Sequence, residues 1–334
     1  MLAVQSVTAG FVQGFGPEAS LRRVARMRRM RPRRASRFPT ALPFEKSREE
    51  GTMSVEKEDL QAVSPIALAP AQIEAKAEAI GVGKTQIETP RLVALSILAG
   101  LFIGSGALFM TLVKSDSSLS FATSSVLGGL CFSLGLIAVI VAGAELFTGN
   151  SLMVMALFSK KIGVGAMLKN WVIVWLGNLV GSLVLVCVVA CAGTATLNGG
   201  AFGQAMMTVA AGKINLAWGT IFFRAIGCNF LVCLAVWMGF GGKSVIDKIF
   251  TTIFPVMAFV ALGFEHCVAN MFFLPMGVVA KDVLGIAYTG SADLANLNWG
   301  GVFYNISAAT LGNIVGGAVF IGLLYWIAYR KKEA

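Results

Sequence analysis

The sequence predicts an all-α membrane protein of six transmembrane helices, built as two inverted three-helix repeats with broken second and fifth helices. Three observations carry that expectation. Hydrophobic residues make up 56% of the 334 and charged residues only 13%, where an ordinary soluble domain has about 25% charged residues, and the mean hydropathy is +0.77. The apolar residues gather in bilayer-length segments without the alternation of a membrane barrel, so helices are the form that satisfies every backbone group internally. Two of the segments also share a pattern: GAELFTGN places Gly143, Glu145 and Asn150, and GFEHCVAN places Gly263, Glu265 and Asn270 at the same spacing.

Three parts are expected along the chain: a basic extension over 1–52, an N-terminal cytoplasmic segment over 53–90, and a six-span domain over 91–334. The extension holds ten Arg and one Lys against four Glu and has no periodic apolar face, the composition of a disordered segment. It reads either as lying outside the working protein, because Met53 begins MSVEKEDL, or as an Arg-rich, acid-poor organellar transit peptide. Most of the net charge of +10 belongs to it, so no nucleic-acid partner is expected for the membrane domain. The stretch SPIALAPAQIEAKAEAIGVGKTQ that follows is polar with an amphipathic look.

The apolar segments fall at 91–113, 121–158, 167–192, 216–240, 248–281 and 302–329. The second and fifth exceed one crossing of about 20 residues and carry glycine and polar residues in their middles. The third and sixth repeat GNLVG (Gly177, Asn178, Gly181) and GNIVG (Gly312, Asn313, Gly316), so spans one to three echo spans four to six. An odd number of crossings per half makes the copies inverted. Lys160, Lys161, Lys169, Lys243, Lys248, Arg330, Lys331 and Lys332 fall on one side, against Lys114, Lys213 and Lys281, diluted by Asp116, Asp282 and Asp293, on the other. Both termini are therefore expected in the cytoplasm, in a plasma (inner) membrane, or on the equivalent face of an organelle if 1–52 is a transit peptide.

A broken helix leaves backbone donors and acceptors to be satisfied. Glu145 and Glu265 are expected to accept backbone N–H groups, and Asn150 and Asn270 to cap the half-helices. His266, the chain's one histidine, lies at the second break, and an ionisable residue inside a span is a functional candidate by default. It acts either as a neutral donor or by taking up a proton transiently, the second being the expectation. Such a site suits a small hydrogen-bonding solute. No cofactor, metal or enzymatic chemistry is expected. The six cysteines (Cys131, Cys187, Cys191, Cys228, Cys233 and Cys267) lack zinc-ligand spacing and a second histidine, and read as small buried residues.

GAELFTGN at 143–150, CNFLVCLAVWM at 228–238, GFEHCVANMFFLPMG at 263–277 and GNIVGGAVFIGLLYW at 312–326 resemble the signature segments of the formate/nitrite transporter family. The resemblance covers about 75–330, with four motifs in order. It implies a homopentamer of aquaporin-like protomers, each with its own pore for formate or another small monovalent anion, such as nitrite, hydrosulfide, acetate or lactate, with protons as a second partner. By the same resemblance His266 is the central pore histidine, and Thr148 the threonine facing it. Phe132, Leu136, Leu146 and Phe259 are the apolar constrictions, Lys213 a vestibule lysine that attracts anions, and Asn229 and Asn313 polar positions along the route. Glu265 is the acid beside the histidine. A neutral-solute channel of aquaporin type is the rival, although no Asn-Pro-Ala tripeptide occurs in the chain.

Overall fold

The computed structural model of the protein describes residues 67–330. The extension at 1–52, the start at Met53, and Lys331 and Lys332 lie outside the described residues. The helices are α1 (Pro70–Thr85), α2 (Thr89–Lys114), α3 (Phe121–Gly143), α4 (Phe147–Phe158), α5 (Val164–Cys191), α6 (Ala201–Ile214), α7 (Trp218–Gly241), α8 (Val245–Ala261), α9 (Cys267–Asp282) and α10 (Trp299–Tyr329). Five of them, α2, α3, α5, α7 and α10, are long and apolar enough to cross a membrane, so the chain is an all-α, multi-pass membrane protein. The segment 245–282 divides into two shorter helices of 17 and 16 residues.

Local chemistry sets the helix starts. Pro70 opens α1, where Gln72 Oε1 accepts the Ala69 N–H at 2.9 Å. Ser120 caps α3, and Ser244 with Asp247 forms a reciprocal capping box at the head of α8. These side chains occupy first-turn donors that have no partner within their own helix.

Packing repeats along the chain. α2 lies against α3 and α5, and α7 against α8 and α10; α1 packs on α4 as α6 packs on α9. The GNLVG and GNIVG segments make two of these contacts tight. A Cβ at Gly181 would collide with the Ile97 carbonyl, and one at Gly316 with the Ile226 carbonyl, so only glycine lets these backbones approach so closely. α9 is buried at every position from Cys267 to Val278, a helix apolar on all sides and enclosed by its neighbours. Of the cysteines, Cys228, Cys233 and Cys267 are buried, whereas Cys187 and Cys191 face outward on α5 and Cys131 is intermediate. The expectation of burial is corrected for these last three; a thiol is apolar enough to lie on the outer surface of a membrane bundle.

α1, which precedes the first long helix, belongs to this packing. It buries Ile73, Glu74, Ala77, Glu78 and Gly81, and its middle is tied to the end of α7 by Lys76 Nζ donating to the Phe240 carbonyl at 2.8 Å.

Candidate functional site

Two interruptions face each other inside the bundle. α3 ends in a π-turn, and Gly143 takes φ +85°; after α8, Gly263 takes φ +68°. Both are left-handed positions at which a side chain is strained. The chain then runs extended through Leu146 (φ −108°, ψ 123°) and His266 (φ −106°, ψ 113°) before α4 and α9 begin.

The groups exposed by each break are gathered by an asparagine from a neighbouring helix. Asn178 Oδ1 accepts the Phe147 N–H at 2.9 Å, while its Nδ2 donates to the carbonyls of Ser96 (2.8 Å) and Glu145 (2.9 Å). Asn313 repeats this with the Cys267 N–H (2.8 Å) and the carbonyls of Ala225 (2.8 Å) and Glu265 (2.9 Å). Asn150 and Asn270 do not cap. As the fourth residues of their half-helices they point back toward the N-terminus, where each Nδ2 donates to a glutamate, Glu145 at 2.9 Å and Glu265 at 2.6 Å. The glutamates in turn take lysines rather than backbone donors. Lys84 Nζ lies 2.6 and 2.7 Å from the two oxygens of Glu145, and Lys213 Nζ lies 2.9 Å from Glu265 Oε1. The expected assignment of caps to Glu145, Glu265, Asn150 and Asn270 is corrected accordingly.

His266 caps α9 with its own ring: Nδ1 accepts the Ala269 N–H at 3.0 Å, and Nε2 lies 2.9 Å from Thr148 Oγ1. An Nδ1 that accepts carries no proton, so the neutral ring holds its hydrogen on Nε2 and donates it to Thr148. The Thr148 hydroxyl hydrogen is then free to serve another acceptor. Protonating the ring requires Nδ1 to give up the cap, which weighs against transient proton uptake.

Cavities open on both sides of this pair. One of about 370 Å³ reaches His266, with Phe132, Phe259 and Phe273 along its wall and Lys114, Lys213, Arg224 and Glu265 among its lining. The other, of about 650 Å³, reaches Leu136 and Leu146 and is lined by Lys76, Lys84, Arg91, Lys248 and Glu145. Arg91 and Lys114 stand near opposite ends of α2, a 26-residue helix about 39 Å long. Each cavity thus presents three or more cations against one carboxylate. Phe132 meets Phe259 edge-on with ring centroids 5.7 Å apart, and Phe259 stacks on His266 at 6.0 Å.

The sequence-predicted residues Thr148, His266, Phe132, Phe259, Leu136 and Leu146 thus come together between the two cavities, all buried. Lys213 reaches its cavity paired with Glu265. Asn229 and Asn313 line neither cavity. Both are fully buried, and Asn229 Nδ2 donates to the carbonyls of Asn313 (2.6 Å) and Thr148 (3.2 Å). Sequence reasoning missed Lys84, Asn170, Asn305 and Phe273. Asn305 Nδ2 donates to the Lys213 carbonyl at 3.1 Å and Asn170 Nδ2 to the Lys84 carbonyl at 3.2 Å, so both lysines are held in the same way. A signal existed: Gly83-Lys84 ahead of the first span matches Gly212-Lys213 ahead of the fourth.

Residues 71–327 match the family model described as "Formate/nitrite transporter". The chain belongs to the formate/nitrite transporter family. It is similar to the "Uncharacterized transporter YrhG" of Bacillus subtilis, 41% identical over 271 residues, covering 80% of this chain and 94% of the relative. Similarity to the "Formate channel FocA" of Escherichia coli K12 is 37% over 275 residues, covering 80% and 96%. Among solved structures, a "Pentameric formate channel with formate bound" superposes with a TM-score of 0.65 at 36% identity, covering 73% of this chain and 98% of that one. Membership of the formate/nitrite transporter family makes this a transporter rather than an enzyme.

Proposed function

We propose that this member of the formate/nitrite transporter family moves formate, or a similar small monovalent anion, through the route between its two cavities. The observation that carries the reading is the Thr148–His266 pair, hydrogen-bonded at 2.9 Å and buried between two cationic cavities. A bare anion entering an apolar constriction loses several kcal/mol of hydration, and the Thr148 hydroxyl hydrogen, oriented by the His266 Nε2–H that its oxygen accepts, offsets part of that loss for a solute small enough to reach it. Phe132 and Phe259 on one side and Leu136 and Leu146 on the other exclude larger hydrated ions. Glu265, in this reading, positions Lys213, and Asn229 and Asn313 hold the two breaks. Formate is favoured as the solute because similar proteins are formate channels by name.

The architecture that goes with this function has six spans, the fifth being α8 and α9 together, in two inverted halves of aquaporin-like plan. α1 extends the first half as α6 extends the second. Both termini face the cytoplasm in the plasma (inner) membrane, and the working form is a homopentamer. Labels at 160–169 are expected to react from the cytoplasmic side, and labels at 115–120 and 283–298 from the other. Native mass measurement tests the pentamer, and expression from Met53 is expected to retain insertion and uptake.

The test of function is uptake into proteoliposomes of formate, nitrite, hydrosulfide, acetate and lactate at two pH values. Saturable formate uptake that requires the protein supports the reading. Passage of uncharged solutes with no anion uptake refutes it in favour of a neutral-solute channel.

A further inference from the structure

We propose that the anion-collecting group of the 370 Å³ cavity is Arg224, assisted by Lys114, and that Lys213 is not, an assignment that rests on the anion-channel reading above. Lys213 is already committed. Its Nζ lies 2.9 Å from Glu265 Oε1, and the side chains are only 15% and 1% exposed. Glu265 is held in place by Asn270 at 2.6 Å. The Lys213 charge is balanced by a carboxylate in direct hydrogen-bond contact, so the pair offers a dipole rather than a net charge.

Arg224 and Lys114 are differently placed. Both are half-buried and line the cavity that ends at His266. Arg224 spends one guanidinium N–H on the Gly263 carbonyl at 3.4 Å, and Lys114 Nζ bonds Ser125 Oγ at 3.2 Å. Among the described residues no carboxylate forms a salt bridge with either. The guanidinium presents several N–H donors in a planar fork that matches the two oxygens of a small oxyanion. In a cavity walled by Phe132, Phe259 and Phe273, its field is screened less than on an open surface.

The two halves of the chain isolate this residue. The Glu145 N–H donates to the Leu95 carbonyl at 3.2 Å, and the Glu265 N–H donates to the Arg224 carbonyl at 3.4 Å. Leu95 and Arg224 thus hold equivalent positions, and each lines its own cavity. At these matched positions the first half has the leucines Leu95 and Leu146 where the second has Arg224 and His266. The two polar replacements open onto one cavity, so a solute collected at Arg224 has the His266–Thr148 pair as its next hydrogen-bonding partner.

The experiment measures initial formate uptake by the full chain in proteoliposomes, against formate concentration, at low and high ionic strength. Arg224→Leu installs the side chain of the equivalent position. The half-saturating formate concentration is expected to rise about fivefold at low ionic strength and its salt dependence to shrink; adding Lys114→Met is expected to remove what salt dependence remains. If Arg224→Leu does not insert, Arg224→Gln is read in the same way. An unchanged half-saturation and salt dependence overturns the proposal, as does a Lys213→Met variant that inserts normally and shifts half-saturation as far as Arg224→Leu. A wild-type chain that takes up no formate refutes the channel reading itself, which is distinct from a working channel indifferent to Arg224.

Discussion

Leu146 and His266 occupy the same position of two equivalent breaks, with backbone dihedrals that agree within about ten degrees. The leucine presents an apolar side chain to the 650 Å³ cavity. The histidine caps its half-helix through Nδ1 and turns Nε2 to Thr148. Because the cap fixes the tautomer, His266→Asn, which keeps a neutral donor and a good capping group, is expected to lower formate flux several-fold while leaving its pH profile like the wild type's. His266→Leu, which copies the other break, is expected to abolish flux. Uptake followed from pH 5 to 8 in proteoliposomes distinguishes this from proton sharing, in which the Asn variant loses the acceleration at low pH.

Thr148→Val keeps shape and removes the hydroxyl. It strips Nε2 of its acceptor and the solute of one donor, so flux is expected to fall at every pH without a change in pH dependence. A pH-dependent loss in the same assay counts against a fixed pair.

The Lys84–Glu145 pair is buried enough that its halves depend on one another, with side chains 19% and 9% exposed. Removing Lys84 alone leaves a carboxylate largely cut off from water, a loss of roughly 3–5 kcal/mol for a fully buried pair and less here. Lys84→Met is therefore expected to destabilise the protein more than Lys84→Met with Glu145→Gln. Equilibrium unfolding in mixed micelles, with a coupling of about 2 kcal/mol between the two sites, checks it. Additive single losses would show that the two residues act independently.

Asn178 and Asn313 each serve three backbone groups. A leucine at either position leaves those groups buried without partners, at about 1–3 kcal/mol each. Asn178→Leu and Asn313→Leu are expected to yield little inserted, monodisperse protein after detergent extraction. Wild-type yield and uptake from either variant would mean that the breaks are held by something else.

α1 carries a titrating contact outside the spans. Glu78 bonds Ser159 and Lys161 in the loop after α4, and Trp326 Nε1 of α10 donates to the same Ser159 Oγ. Burial, reinforced by Glu78, pushes the neighbouring Glu74 up to about 7. Burial acts on Glu78 too, but the hydrogen bonds from Lys161, Ser159 and Glu74 outweigh it and hold that carboxyl below its ordinary value. A raised acid stabilises the folded state while protonated. Glu74's contribution is thus full below its unfolded value of about 4.5 and is lost as pH rises through about 7. Thermal stability in detergent is expected to decline between about pH 4.5 and 7 and to level off above that, and Glu74→Gln to flatten the decline. An unchanged slope in the variant rules Glu74 out as its source.

The sequence by itself determined that the chain is helical and membrane-spanning, because hydropathy over about 20 residues is a local property. It located both breaks, because glycine, glutamate and asparagine recur at the same spacing, and it singled out Thr148 and His266. Partner choice was not legible. Asn150 and Asn178 are the same residue type, and only the crossing of α5 past the first break brings Asn178 Oδ1 within 2.9 Å of the Phe147 N–H, leaving Asn150 to the glutamate. Lys84 is 61 residues from Glu145 in sequence and 2.6 Å away in space. Nothing in the polar stretch that carries it announces that α1 packs on α4. The tautomer of His266 and the pairing of Lys213 with Glu265 follow from hydrogen bonds that chain packing alone brings into range, since such bonds weaken steeply beyond about 3 Å and with misaligned angles.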